Sequence, residues 1–241
     1  KVIKSQQPEE KARALREINI LSSLKSEYFP ILYDYGEYRN GDENVLYVIE
    51  EYITGQNLRE IINSISSHRL DYKSCNRIIS SLLKALILIE PLQLVHRDIK
   101  PENIIVSSER VVLLDFGIAR DISKTSLTET FAIFGPMTPG YAPPEQIKNE
   151  KRKISFRTDL FSIAVVFYEI LTDHNPFGAG TSSANEVLNI TISFNPQTLS
   201  SLGFNKTFDE FIFKCFEKNC HRRPASLILA KQLFDNINWE L

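Results

Sequence analysis

Apolar positions recur along this chain with two different periods, and the change from one to the other divides it. Lys1-Val2-Ile3-Lys4 reads as the end of a β-strand. Pro8 then suits the first position of a helix, with Glu9 and Glu10 favourably placed at the positive end of its dipole. That helix runs to about Leu24 and carries Ala14, Leu15, Ile18 and Leu21 on one face. Glu17 borders the same face, where a carboxylate is costly unless it is paired. Two strand-like runs, Ile31 to Tyr38 and Val45 to Glu51, flank the turn-rich Arg39-Asn40-Gly41-Asp42 and predict a hairpin. After Gly55 the helical period takes over, over about Asn57 to Ser66 and Lys73 to Glu90, with short strands at Ile104 to Val106 and Val111 to Leu114. From Thr158 onward the pattern is mostly helical, and Leu160 to Leu171 is apolar nearly all round, as in a helix buried at a domain centre. A strand-rich part followed by a helix-rich part predicts an α+β fold.

Composition changes this picture little. The 241 residues are 43% hydrophobic and 24% charged, enough for a sizeable core in one large domain or a two-lobed unit sharing a cleft. A net charge of −2 leaves no basic excess, so neither nucleic acid nor an anionic membrane is indicated as a partner. The longest apolar stretch, Ile163 to Leu171, is interrupted by Glu169 and falls far short of the roughly 20 residues of a membrane span. Cys75, Cys215 and Cys220 do not make a disulfide framework in a chain this long, which points to a reducing, cytoplasmic compartment. Cys215, Cys220 and His221 lie close together, but zinc sites want tighter pairs and a fourth ligand. The first residues hold neither Met nor a signal sequence and begin inside a strand, so the chain is expected to be a piece of a longer one.

The chemistry concentrates in Val95-His96-Arg97-Asp98-Ile99-Lys100-Pro101-Glu102-Asn103, followed by Leu114-Asp115-Phe116-Gly117. His-Arg-Asp, an Asn five positions beyond the Asp, and then Asp-Phe-Gly resemble the signature set of the protein kinase family in order and spacing. The residue types suit the chemistry that this resemblance implies. Phosphoryl transfer gathers negative charge that needs divalent cations and positioning more than covalent help. Asp115 and Asn103 offer the hard oxygens that Mg²⁺ prefers, alongside the phosphates of ATP. Asp98 is then the base that orients the attacking hydroxyl and accepts its proton, and Lys100 supplies a compact positive charge to the transferred group. Lysine at that place goes, in the family, with serine and threonine acceptors on a protein substrate.

The resemblance extends over nearly the whole chain. Thr138-Pro139-Gly140-Tyr141-Ala142-Pro143-Pro144-Glu145 is similar to the end of an activation segment, which brings Thr138 into the catalytic set. Glu145 is expected to pair with Arg223, and Asp159 to support the catalytic loop from the central helix. His96 is expected to be a structural member of that loop. Lys1 resembles the phosphate-binding lysine, with Lys4 as the alternative, and Glu17 its helix partner. Tyr47 to Gly55 resembles the last strand and hinge of the smaller lobe, with Glu50 at the gatekeeper position and Glu51 and Ile53 offering backbone groups to adenine. These matches imply a two-lobed fold, with residues 1–52 forming a truncated strand-rich lobe and 53–241 the hinge and a mainly helical lobe. The Gly-rich loop that covers the phosphates is missing, since the first glycine is Gly36. This leaves a pseudokinase-like binding module as the alternative to an active enzyme. The style of Asp115 to Arg120 and of Thr128 to Thr130 resembles bacterial Hanks-type kinases, and implies autophosphorylation at Thr128 and Thr130 with Arg97 as the partner of the phosphate.

Overall fold

The computed structural model describes residues 2–4, 15, 18–22, 24–40, 43–65, 69–115, 137–178 and 183–240. Lys1, Glu17, Phe116, Gly117, Thr128 and Thr130 lie outside these residues, and so do the roles expected of them.

The N-terminal part is a three-stranded antiparallel sheet in the order β1 (Val2–Lys4), β3 (Glu43–Glu50), β2 (Leu32–Asn40). The hairpin of β2 and β3 is longer than its alternation suggests. Pairing runs on through Arg39↔Asn44 to Asn40↔Glu43, so the expected four-residue turn shrinks to the two positions between the strands. Helix α1, helical at residue 15 and 18–22, packs against this sheet. Its Ile18 meets Leu46 and Val48 in a small core of its own, with Leu15 at the edge.

Beyond Glu50 the chain becomes mainly helical. Helix α2 (Leu58–Ser64) starts at a reciprocal cap in which the Asn57 side chain receives the Glu60 amide and the Glu60 carboxylate receives that of Asn57. Helix α3 (Tyr72–Ile89) begins at Asp71, whose carboxylate accepts from Ser74 N. A second small antiparallel sheet follows, β4 (Gln56–Asn57), β5 (Ile104–Val106) and β6 (Val111–Leu113) in that order. After the short helix α4 (Pro144–Ile147) comes the central helix α5 (Phe156–Thr172), then α6 (Ala184–Ser193), α7 (Lys206–Cys215) and α8 (Leu227–Asp235).

Helix α5 is buried at every position from Thr158 to Leu171, as its all-round apolar pattern requires. It starts one turn earlier than that pattern shows, because Ser155 caps it by accepting the Arg157 amide. It ends at Asp173 in the left-handed conformation, φ 64°. Helices α3 and α7 pack on its flanks, and Phe161, Phe167, Phe177, Phe208, Phe211, Phe216 and Phe234 fill the space between them. All three cysteines are buried and free, and burial pushes the thiols of Cys75 and Cys215 up to about 12, so both are inert packing groups. No helix among the described residues is long and apolar enough to cross a membrane.

The expected ion pair between Glu145 and Arg223 is formed in full burial. Arg223 Nη1 donates to Glu145 Oε1 at 2.6 Å and Nη2 to Oε2 at 2.9 Å. Nη1 also donates to Arg157 O and Nε to Glu217 O, and the guanidinium lies 5.0 Å from the Phe161 ring centre. Thr158 Oγ1 adds a hydroxyl bond to the same carboxylate. Such a pair ties α4 to the segment just before α8, with Arg157 O and Thr158 adding the start of α5, but breaking one half leaves a buried charge alone. Arg223→Met should therefore lower stability by about 3–5 kcal/mol, and adding Glu145→Leu should restore a large part of the loss. Urea denaturation of the single and double variants measures this, and equal losses in both would refute it.

Candidate active site

Residues 94–100 have no regular secondary structure, yet His96, Asp98 and Ile99 are buried. Backbone donors in such a loop need partners. Asp159, in the first turn of α5, provides two: its Oδ2 accepts His96 N and its Oδ1 accepts Arg97 N, both at 2.8 Å. Burial pushes this carboxyl up to about 7, against the pull of the two amides. Arg97 takes the left-handed conformation, φ 67°, a costly one for a long side chain. That turn sends its amide to Asp159 and its carbonyl to Gln146 Nε2, 2.9 Å away.

His96 links this loop to the next segment. Its Nδ1 accepts Asp98 N at 3.3 Å, so the ring proton sits on Nε2, which donates to Leu114 O at 2.8 Å. Leu114 N in turn donates to Asn103 O at 2.8 Å. Asn103 and Asp115 are thereby brought side by side, with Asp115 exposed and left-handed at φ 54°. A short polar side chain tolerates that conformation better than most.

The Asp98 carboxylate collects donors from three directions. Asn103 Nδ2 donates to its Oδ2 at 2.8 Å and to Asp98 O at 2.8 Å. Thr138 Oγ1 donates to Oδ1 at 2.8 Å, and Lys100 Nζ lies 3.3 Å from Oδ2 and 3.2 Å from Thr138 Oγ1. The structure thus brings together five of the expected residues, namely Asp98, Lys100, Asn103, Asp115 and Thr138. Asn103 spends its amide nitrogen on Asp98.

The hinge residues stand apart from this cluster. Glu51 follows β3, with its carboxylate paired to Arg110 and accepting Ile31 N at 3.1 Å. Burial works against its charge, but the Ile31 amide and the Arg110 guanidinium hold it below the ordinary carboxylate range. The Glu51 amide is already committed to Ile31 O at 2.7 Å, so the backbone group left for a ligand is its carbonyl. Ile53 lies in the extended segment that follows, half-buried.

Two features of the site escaped the sequence. Gln146 holds the Arg97 carbonyl, and nothing in Pro144-Glu145-Gln146 distinguishes that glutamine from a surface residue. Arg59 of α2 bridges Glu102, Glu169 and Tyr141, three residues from three distant segments. Only Glu169 left a trace, as the one carboxylate inside the apolar run of the central helix.

Known proteins resemble this chain in sequence and in fold. The chain is 32% identical over 223 residues to a probable serine/threonine-protein kinase PknB of Bifidobacterium longum, which covers 89% of this chain and 31% of that one. It is 30% identical over 213 residues to the serine/threonine-protein kinase PknB of Mycobacterium leprae, covering 88% of this chain and 33% of that one. The chain therefore spans about a third of the length of these curated relatives. The crystal structure of a mutant form of the Mycobacterium tuberculosis PknI kinase domain superposes with a TM-score of 0.70 over 95% of this chain and 78% of that one, at 19% identity, which establishes the two-lobed fold. The sequence model of the protein kinase domain matches residues 1–236, and the chain belongs to that family.

Proposed function

We propose that this chain is the catalytic part of a serine/threonine protein kinase, which transfers the γ-phosphoryl group of ATP to hydroxyls of a protein substrate. The observation that carries the reading is the donor set around Asp98: an amide, a hydroxyl and an ammonium group converge on one buried carboxylate. Three donors fix the direction of its oxygens. A carboxylate held in that direction suits a base that orients an incoming hydroxyl and takes its proton onto Oδ1 or Oδ2. Lys100 holds a positive charge beside the same oxygen, where the transferred group gathers negative charge. Thr138 touches both and keeps them in register. The names of its relatives, as serine/threonine-protein kinases, support this choice of acceptor.

The residues fit a divalent cation. Asn103 Oδ1 and the Asp115 carboxylate are hard oxygen donors on adjacent backbone segments, and we assign them to Mg²⁺. When bound, the ion neutralises charge on the phosphate oxygens of the nucleotide. Lys1 with Glu17 on the phosphates, and Glu51 and Ile53 on adenine, complete the nucleotide site in this reading. Residues 1–52 then form the smaller lobe and 53–241 the hinge and the larger one. Thr128 and Thr130 remain the proposed autophosphorylation sites. The binding-module alternative is less favoured, since Asp98, Lys100, Asn103 and Asp115 are all retained in the sequence.

Asp98→Asn should reduce transfer by about a hundred- to ten-thousand-fold while nucleotide binding and melting stay near those of the parent. Asp115→Asn should instead weaken the thermal stabilisation that Mg·ATP confers. A titration of melting temperature with Mg·ATP separates the two, and an Asp98→Asn protein as active as the parent would sink the assignment. Thr138→Ala should lower kcat about tenfold with little change in KM for ATP, whereas Thr138→Ser, which keeps the hydroxyl, should retain most of the rate. Equal losses in the Ala and Ser variants would show that the hydroxyl is not the operative group.

A further inference from the structure

The bonds around the site close into a ring. Asp98 is held by Thr138; Thr138 O accepts Tyr141 N at 3.2 Å; the Tyr141 hydroxyl meets Arg59; Arg59 meets Glu102; and Glu102 precedes Asn103, which returns to Asp98. The segments of this ring, residues 100–103 and 138–141, adjoin Asp98, so in the kinase reading a polypeptide that delivers a hydroxyl to it passes beside them. Their charge therefore decides which flanking side chains it meets.

Within the ring, one cation occupies an acidic pair. Arg59 Nε donates to Glu102 Oε1 at 3.0 Å and Nη1 to Glu169 Oε1 at 2.9 Å, while Nη2 donates to Tyr141 Oη. Tyr141 Oη in turn donates to Glu169 Oε2 at 2.6 Å. Glu169 is buried, with a side chain 6% exposed, whereas Glu102 is 44% and Arg59 27% exposed, so the outer half of the cluster is open to a ligand. Burial pulls against the charge of Arg59, but Glu169, Tyr141 and Glu102 together raise its proton affinity above the ordinary arginine value. The cation is therefore permanent. Fork-shaped recognition of two carboxylates and a phenol is the task that a guanidinium performs best. Here the chain supplies that guanidinium itself.

Resting on the kinase reading above, we propose that Arg59 is a specificity-determining residue: it fills an acidic subsite beside Asp98 and so removes selection for a basic side chain near the acceptor. The substrate class that follows is a serine or threonine segment whose flanks need no arginine or lysine at this place. Vacating the subsite leaves Glu102 and Glu169 facing the peptide path as two uncompensated carboxylates. A substrate arginine can then take the place of the missing guanidinium.

The test uses the full-length protein and a neutral acceptor peptide that carries a single arginine at each flanking position in turn. The parent should treat all these peptides alike. Arg59→Ala, and Arg59→Gln, which keeps hydrogen bonding without charge, should gain about tenfold or more in kcat/KM for arginine at one or two positions, through KM. Adding Glu102→Gln to either variant should abolish the gain. A uniform rise at every position, or no gain while the variants still phosphorylate the neutral peptide, overturns the proposal. So does loss of transfer to every peptide in both variants when their melts show them folded, because Arg59 would then only support the loop. Absence of transfer by the parent to any peptide would instead count against the kinase reading itself.

Discussion

The Asp159 carboxylate holds two consecutive amides of a loop that has no secondary structure of its own, and the geometry of the site depends on that grip. Loops are usually placed at surfaces, because a buried one carries polar groups that water would otherwise satisfy. This loop is buried at His96, Asp98 and Ile99 and still ends in a fixed shape. The left-handed conformation of Arg97, φ 67°, sets the direction of its carbonyl relative to its amide. The strain is of order 1–3 kcal/mol, and it is offset by bonds that Arg97 makes at both ends, to Asp159 and to Gln146. A helix buried all round cannot shift to relieve such a contact, so the loop must conform to the helix.

Periodicity and spacing reveal the parts of this system that are local. The central helix announces itself because it is apolar nearly all round, and Asp98, Asn103 and Asp115 stand out because their order and spacing resemble the kinase signature set. The hairpin strands read shorter than they are because Asn40, Gly41 and Asp42 are turn-forming residue types, while the backbone of Arg39 and Asn40 is paired to β3. The two-residue strand β4 is too short to show any alternation, and exists only because Gln56 and Asn57 meet Val106 and Ile105. Arg59 illustrates the same limit at the site. It sits in a polar helix turn that reads as solvent-facing, and its partners lie 43, 82 and 110 residues away in the chain. No periodic signal extends over such separations.

The interior charges differ in what they do. Glu145 and Arg223 are sealed from water and satisfied on nearly every polar atom, an arrangement that fixes geometry without adding much stability. The Arg59 cluster is sealed on the Glu169 side alone and opens at Glu102. Both clusters grip the segment from Thr138 to Ile147, one at Tyr141 and the other at Glu145. A length of chain held at two points four residues apart has little freedom to tilt. Thr138, just before the first of these points, inherits its position over Asp98 from them.

The polar residues of α5 explain why one helix can organise so much. Asp159, Ser162 and Glu169 are spaced by three and seven positions, which puts them on one face of a helix with 3.6 residues per turn. Asp159 reaches the loop of residues 94–100, Ser162 the carbonyl of Tyr141 at 2.9 Å, and Glu169 the Tyr141 hydroxyl and Arg59. A buried polar side chain without a partner costs about 1–3 kcal/mol, so each of the three admits only those loop conformations that satisfy it. The apolar remainder of the helix supplies rigidity, and the polar stripe selects the register of the segments laid over it. Hydrophobic burial alone would accept many positions of those loops, because it has no direction; hydrogen bonds to a buried, immobile stripe accept very few.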